Sequence, residues 1–200
     1  MNINEEQLCF YHELGFAATQ WGALEASLYN VYLACFKSGN EREISVSFLS
    51  VENFRSKLGM VDNIIHAQFR DDACLDEWID IFGRVESARK ARNSMIHAQK
   101  FNYLHHQSGR RIALVPWLSK TPRKKPRKPQ KLPPGSLCVK DIALLAKRFA
   151  AISNLLLNFS FRLYGRPPPL PESSTQEPSP PKLHELVRRT RALLASPPQS

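Results

Sequence analysis

The first 115 residues of this 200-residue chain contain no proline, although the chain has fifteen. Because proline breaks helices, a proline-free stretch of this length favours long helices. The four cysteines form no C-x-x-C pair, and each lies in a segment that the pattern predicts to be helical, so we expect buried free thiols in a reducing compartment. Clustered metal ligands are also lacking, and only His105-His106 comes near such a cluster. We therefore expect no metal site and no cofactor.

Long apolar runs are scarce as well. None approaches membrane-spanning length, and the acidic segment Met1 to Glu6 lacks the basic-then-apolar layout of a signal peptide. We expect a soluble cytoplasmic protein that does not contact a membrane. The hydrophobic share of 42% is sufficient for a core.

Charge is divided unevenly along the chain. Residues 1–100 carry 10 Lys+Arg against 14 Asp+Glu, whereas residues 101–200 carry 18 against 4, and the net charge is +10. The second half thus has the electrostatics of a segment that meets a polyanion, although solubility alone is an alternative use of that charge.

Apolar residues at helical spacing predict four long helices. Residues 41–47 are polar and are predicted to be a connection. The predicted helices run from about Asn4 to Lys37, Ser50 to Gln68, Ala73 to Gln99, and Asp141 to Gly165. The fold class we predict is all-α: an up-and-down four-helix bundle, with a short extended excursion before the last helix and a disordered C-terminal tail.

The remaining segments have distinct compositions. Phe101 to Trp117 is predicted to be a short hairpin or an irregular extended excursion. A basic loop follows at 119–135, residues 166–181 form a Pro-rich linker predicted to be disordered, and residues 182–200 hold a short basic amphipathic tail helix. The domain is therefore expected to span residues 1–165.

Arg92 lies on the apolar face of the third predicted helix. One line of that face is Trp78, Phe82, Val85, Arg89, Arg92 and Ile96, and a second is Ile81, Val85, Ala88, Arg92 and Met95. Arg92 belongs to both lines. A charged group beside a core is costly unless it has partners or a function.

Glu25 occupies a slot in the apolar stripe of the first helix. A carboxylate in the seam needs a partner, most simply an arginine of a facing helix, such as Arg92 or Arg89. The alternative is that Glu25 lies at the edge of the stripe and reaches water. For Arg89, the alternative is a salt bridge at a subunit rim.

The segment Arg92-Asn93-x-x-x-His97, late in the third helix of a predicted four-helix bundle, resembles the R-N-x-x-x-H signature of HEPN domains (higher eukaryotes and prokaryotes nucleotide-binding). The opening helix with Trp21-x-x-x-Glu25 and the closing helix that begins Val139-Lys-Asp141 are similar to prokaryotic members. The resemblance covers roughly residues 4–165, and only the six-residue motif is specific.

The resemblance implies a homodimer whose third helices face each other across a cleft. Many members are metal-independent endoribonucleases that act as toxins or in abortive-infection phage defence, and a toxin has a cognate antitoxin protein as a further partner. Other members bind nucleotides or have lost activity. The alternative function is therefore a non-catalytic helical module that binds nucleotide, nucleic acid or a partner protein.

The residue types fit RNA cleavage by the 2′-hydroxyl. His97 suits proton transfer near neutral pH, and Arg92 suits a phosphate that gains charge. Asn93 is expected to orient the imidazole or bind a phosphate oxygen, with Glu25 and Arg89 in support. The alternative for His97 is a histidine favoured by the helix dipole at a C-terminus.

The basic loop offers six cations for an RNA backbone, or it is a solvated linker. These cations are Arg123, Lys124, Lys125, Arg127, Lys128 and Lys131.

Overall fold

The computed structural model describes residues 3–36, 40–69, 73–105, 109–116 and 132–165. The six cations of the predicted basic loop lie outside these ranges, as do the predicted Pro-rich linker and the tail helix. The predicted catalytic and supporting residues, from Glu25 to His97, lie within them.

The described part of the chain is all-α, with a small sheet. Its helices are α1 (Ile3–Ala34), α2 (Glu41–Leu49), α3 (Phe54–Gln68), α4 (Ala73–Ile96) and α5 (Val139–Leu163). Helices α1, α3, α4 and α5 correspond to the four predicted helices, so the predicted fold class is confirmed.

Helix α2 corrects one prediction, because residues 41–47 were expected to be a connection. The Asn40 side chain caps this helix by accepting from the Arg42 backbone N–H, and two glutamates in the first turn suit the helix dipole. Only Phe48 is buried, so the segment has no apolar stripe that a periodicity search would detect. Its serines instead bond tyrosines of α1, with Tyr32 Oη 2.7 Å from Ser47 Oγ.

The predicted hairpin is present and begins earlier than expected. Strand β1 (Ala98–His105) pairs antiparallel with β2 (Gly109–Pro116), and β3 (Leu137–Cys138) adds to β2. Helix α4 therefore ends at Ile96, and not near Gln99 as predicted. The early end places His97 between the helix and the first strand.

The main core lies between α1 and α5, with α3 and α4 packed against them. Along α5 the predicted apolar period is buried, and Ile142, Phe149, Leu156 and Phe159 are all fully inaccessible. The helix begins at Val139, two residues before the predicted Asp141. The Asp141 carboxylate stabilises this start by accepting from the Cys138 backbone N–H at 2.8 Å. A smaller cluster at the other end joins Phe10 and Ala17 of α1 to Met95, the hairpin and α5. This cluster anchors the end of α4 that carries the Arg92–His97 segment.

Helix α5 is long and apolar enough, by length and composition, to cross a membrane, although no segment was expected to be so from the sequence. The core helix of a soluble protein meets the same criteria. Nine residues of α5 are buried in the fold, and this packing is compatible with a soluble protein.

The four cysteines are free thiols, as predicted, but only Cys35 is buried. Burial raises the pKa of the Cys35 thiol to about 12. Cys9, Cys74 and Cys138 are half-buried, because each lies toward the edge of its element's packed face.

Replacing Phe149 by alanine should destabilise the protein by about 3–5 kcal/mol, because it removes a fully buried ring that packs against Trp21 at 5.4 Å. Urea unfolding measures this change. The matched control is Leu144→Ala on the same helix, since Leu144 is 66% exposed and should change stability by less than about 0.5 kcal/mol. Equal effects of the two substitutions would contradict this description of the core.

Candidate functional site

Arg92 continues the buried line of α4 but is itself half-buried. Its predecessors Ile81, Val85 and Ala88, and its successor Met95, are at most 3% exposed. The other predicted line starts in the core with Trp78 and leaves it further along the helix, where Arg89 is half-buried and Ile96 is 46% exposed. Arg92 thus lies where the buried face of α4 meets a surface pocket.

The guanidinium of Arg92 lies over an aromatic ring. Its Cζ atom is 5.5 Å from the centroid of the Trp21 ring, and its Nη1 donates to Asn93 Oδ1 at 3.3 Å. No acidic side chain among the described residues forms an ion pair with Arg92. Its stem covers apolar surface while the planar charged group remains accessible to a ligand.

His97 is exposed and follows the last residue of α4. Its backbone N–H donates to the Asn93 carbonyl at 3.0 Å, which completes a final helical turn. Residues five apart are about 140° apart around an ideal helix. Accordingly, Arg92 and Asn93 line one pocket and His97 does not. The pocket that Arg92 lines therefore receives no contribution from His97 of the same chain.

Asn93 is oriented toward Arg92. Its side-chain oxygen accepts from that arginine, and its backbone carbonyl accepts from the His97 N–H. Of its two predicted roles, orienting the imidazole receives no support from this geometry, whereas the side-chain NH₂ group remains a donor on the pocket that Arg92 lines.

Glu25 was predicted either to pair with an arginine of a facing helix or to reach water. It does pair with a cation of a facing helix, but that cation is a lysine. Lys57 Nζ of α3 lies 2.7 Å from Glu25 Oε1. The predicted pairing of Glu25 with Arg92 or Arg89 is therefore wrong. The Lys57 side chain is only 10% exposed, and its ammonium also lies over the Phe48 ring of α2.

Arg89 is paired within its own helix. Its Nη2 donates to Glu86 Oε2 at 2.8 Å, and its Nε also donates to the same carboxylate. This fork lowers the pKa of Glu86 and raises that of Arg89. A salt bridge was the alternative for Arg89, and the structure places it between neighbouring turns of α4.

An open pocket of about 420 Å³ lies beside Arg92 and Asn93 and is lined by residues of α1, α3 and α4. Helix α1 contributes Trp21 and Glu25, and α4 contributes Arg89, Arg92 and Asn93. The start of α3 and the turn before it contribute Glu52, Asn53, Phe54 and Arg55. Three arginines face two glutamates in the lining. Glu25 is paired with Lys57 and Arg89 with Glu86, so Arg55 and Arg92 remain against Glu52 and the lining is cationic.

The chain matches no protein-family model, no curated protein and no solved structure.

No group of three or more histidine, cysteine or acidic side chains in the described part of the chain is arranged to hold a metal ion. The pocket lining combines three arginines with two amides, two aromatic rings and two carboxylates. Arginines and aromatic rings bind anions and planar groups.

Two cations of the site were not predicted from the sequence: Arg55, which lines the pocket, and Lys57, which pairs with Glu25. Arg55 follows the start of α3, and Lys57 is adjacent in sequence to the predicted stripe residue Leu58. A signal for Lys57 existed, because it is three residues after Phe54 and therefore shares its helix face. Trp21 was singled out only as part of a motif, and its place under Arg92 depends on the packing of α1 against α4.

A double-mutant cycle of Glu25→Gln and Lys57→Met should give a coupling energy of about 1 kcal/mol, because the ammonium is largely shielded from water. The same cycle on Asp80 and Arg84, which are 64% and 56% exposed, should give a value close to zero. Urea unfolding measures both. A larger coupling between Glu25 and Arg92 than between Glu25 and Lys57 would contradict the assigned pairing.

Proposed function

We propose that this protein is a metal-independent endoribonuclease of HEPN type, in which Arg92 and His97 are catalytic and Asn93 assists. The observation that carries the proposal is the state of Arg92: an arginine that interrupts the buried line of α4 and presents its guanidinium to an open pocket. It lies one turn before His97, whose ring is exposed and available for proton transfer.

In the proposed reaction the 2′-oxygen of a ribose attacks the adjacent phosphorus as its proton is removed. The bond from phosphorus to the 5′-oxygen breaks, and that oxygen receives a proton. The products are a 2′,3′-cyclic phosphate and a 5′-hydroxyl. The imidazole of His97 takes the proton from the 2′-hydroxyl and then gives it to the leaving 5′-oxygen. The guanidinium of Arg92 stabilises the charge that develops on the phosphate oxygens.

The proposal requires two copies of the chain. Arg92 lines a pocket to which His97 of the same chain does not contribute. A two-fold dimer through α4 brings a second His97 to the Arg92 of the first copy. Following the resemblance, we propose that the enzyme acts in the cytoplasm, as a toxin or phage-defence protein with a cognate antitoxin.

A second candidate is a non-catalytic module that binds nucleotide or nucleic acid. His97 of the same chain does not contribute to the pocket that Arg92 lines, and this favours the module, because a binding pocket needs Arg92 and Trp21 alone. In this module Arg92→Gln abolishes binding, and His97→Ala has no effect.

Purified wild-type protein should cleave single-stranded RNA in excess EDTA, and His97→Ala should lower the rate by about 10²–10⁴-fold, because it removes the proton-transfer group. Product ends are assigned by mass spectrometry as a 2′,3′-cyclic phosphate and a 5′-hydroxyl.

The matched control is His12→Ala, since His12 is an exposed histidine of α1 that does not line the pocket. It should cleave as the wild type does. Equal rates for wild type, His97→Ala and His12→Ala, or no cleavage by any of them, would contradict the proposed function.

A further inference from the structure

A second pocket adjoins the one that contains Arg92. It measures about 400 Å³, lies between α3 and α4, and is lined by Arg55, Leu58, Gly59, Phe82, Glu86, Arg89 and Lys90. Arg55 and Arg89 line both pockets. The two cavities are therefore neighbouring parts of one groove, with two arginines between them.

Cations are distributed along the whole groove. Arg92 lines only the first pocket, Arg55 and Arg89 line both, and Lys90 lines only the second. Among the described residues, Arg89 has an ion pair, with Glu86, whereas Arg55, Lys90 and Arg92 have none. A ligand with a single anionic group would contact the cations at only one end of the groove. A ligand with regularly repeated anionic groups would use all of it.

Three of the seven residues that line the second pocket are uncharged. Leu58 is fully buried, Phe82 is half-buried, and Gly59 contributes no side chain. A Cβ atom placed at Gly59 would meet nothing within 4 Å, so the space above this glycine is open. The other four lining residues are charged, and the one carboxylate among them, Glu86, is paired with Arg89. Apolar walls beside cations suit a flat base with a phosphate next to it, and each pocket falls in the size range of small-molecule sites.

We propose that this groove binds two successive nucleotides of single-stranded RNA, with Arg55 holding the phosphate between them and the second pocket taking the base next to the cleaved linkage. This inference rests on the proposed function for the identity of the ligand. The strand must be single, because a base that enters the pocket cannot be paired at the same time. Arg55 is then a binding residue that sets how the strand lies across Arg92.

The test uses the full chain and a fluorescent, fully 2′-O-methylated oligoribonucleotide, which lacks the attacking hydroxyl and cannot be cleaved. Fluorescence anisotropy gives Kd as a function of salt. Arg55→Gln should weaken binding about tenfold and lower the salt slope by about one, as the loss of one phosphate contact predicts. The matched control, Arg42→Gln, removes an exposed arginine of α2 and should leave Kd unchanged.

Glycine variants test the pocket itself. Gly59→Leu fills the open space and should weaken binding about tenfold if a nucleotide occupies the pocket. Gly15→Leu, at an exposed helical glycine of α1 where a Cβ also meets nothing, should bind as the wild type does. Gly59→Ala adds only the Cβ and favours the helix, so it should keep both fold and binding. Thermal unfolding checks that each variant is folded.

The possible outcomes separate the two proposals. The proposal that the groove binds RNA is contradicted if Arg55→Gln and Gly59→Leu both keep the wild-type Kd, or if the wild type does not bind the oligonucleotide. If these variants weaken binding but the wild type cleaves no unmodified RNA in EDTA, RNA binding in the groove is supported and the ribonuclease function is contradicted. If the wild type cleaves RNA and neither variant weakens binding, the ribonuclease function is supported and RNA binding in the groove is contradicted.

Discussion

The indole of Trp21 connects the hydrophobic core to the candidate site, and the placement of Arg92 depends on it. One side of the ring packs on Phe149 at 5.4 Å, and Phe54 at the start of α3 lies 4.6 Å away. The Arg92 guanidinium lies over the same ring. Since Trp21 is only 6% exposed and belongs to the main core, the position of the arginine is coupled to the packing of α1 against α5. A core arginine is tolerated here because its charged end faces a pocket.

Much of the fold follows from periodicity. The apolar residues of α5 recur at alternating spacings of three and four, and every helix with such a stripe was predicted. Helix α2 was not, because its stability comes from a cap, two acidic residues and tyrosine–serine hydrogen bonds with α1. Those bonds depend on the position of α1 relative to α2 in the fold, and the spacing of apolar residues contains no information on that position. The end of α4 was also misplaced, because the apolar pattern runs on into β1.

The candidate site was predictable in part. The second apolar line of α4 correctly identified Arg92 as the charged interruption of a buried face, and the need of Glu25 for a cation was correct. The identity of that cation was not predictable from spacing, because it depends on the relative height of α1 and α3, and Lys57 proved nearer than either arginine. For the same reason Arg55 was missed, since it reaches the pocket only through the packing of α3 against α4. The roles of Arg92, Asn93 and His97 in catalysis stay predictions.

We propose that Arg92 of one copy acts with His97 of another, because His97 of the same chain does not contribute to the pocket that Arg92 lines. Mixing Arg92→Gln protein with His97→Ala protein, after exchange of subunits, tests it directly. Each variant alone should be inactive toward RNA, whereas the mixed dimer contains one intact pairing and should regain part of the wild-type rate. If the mixture stays as inactive as its components while the wild type cleaves RNA, the two residues act within one chain and this account is contradicted.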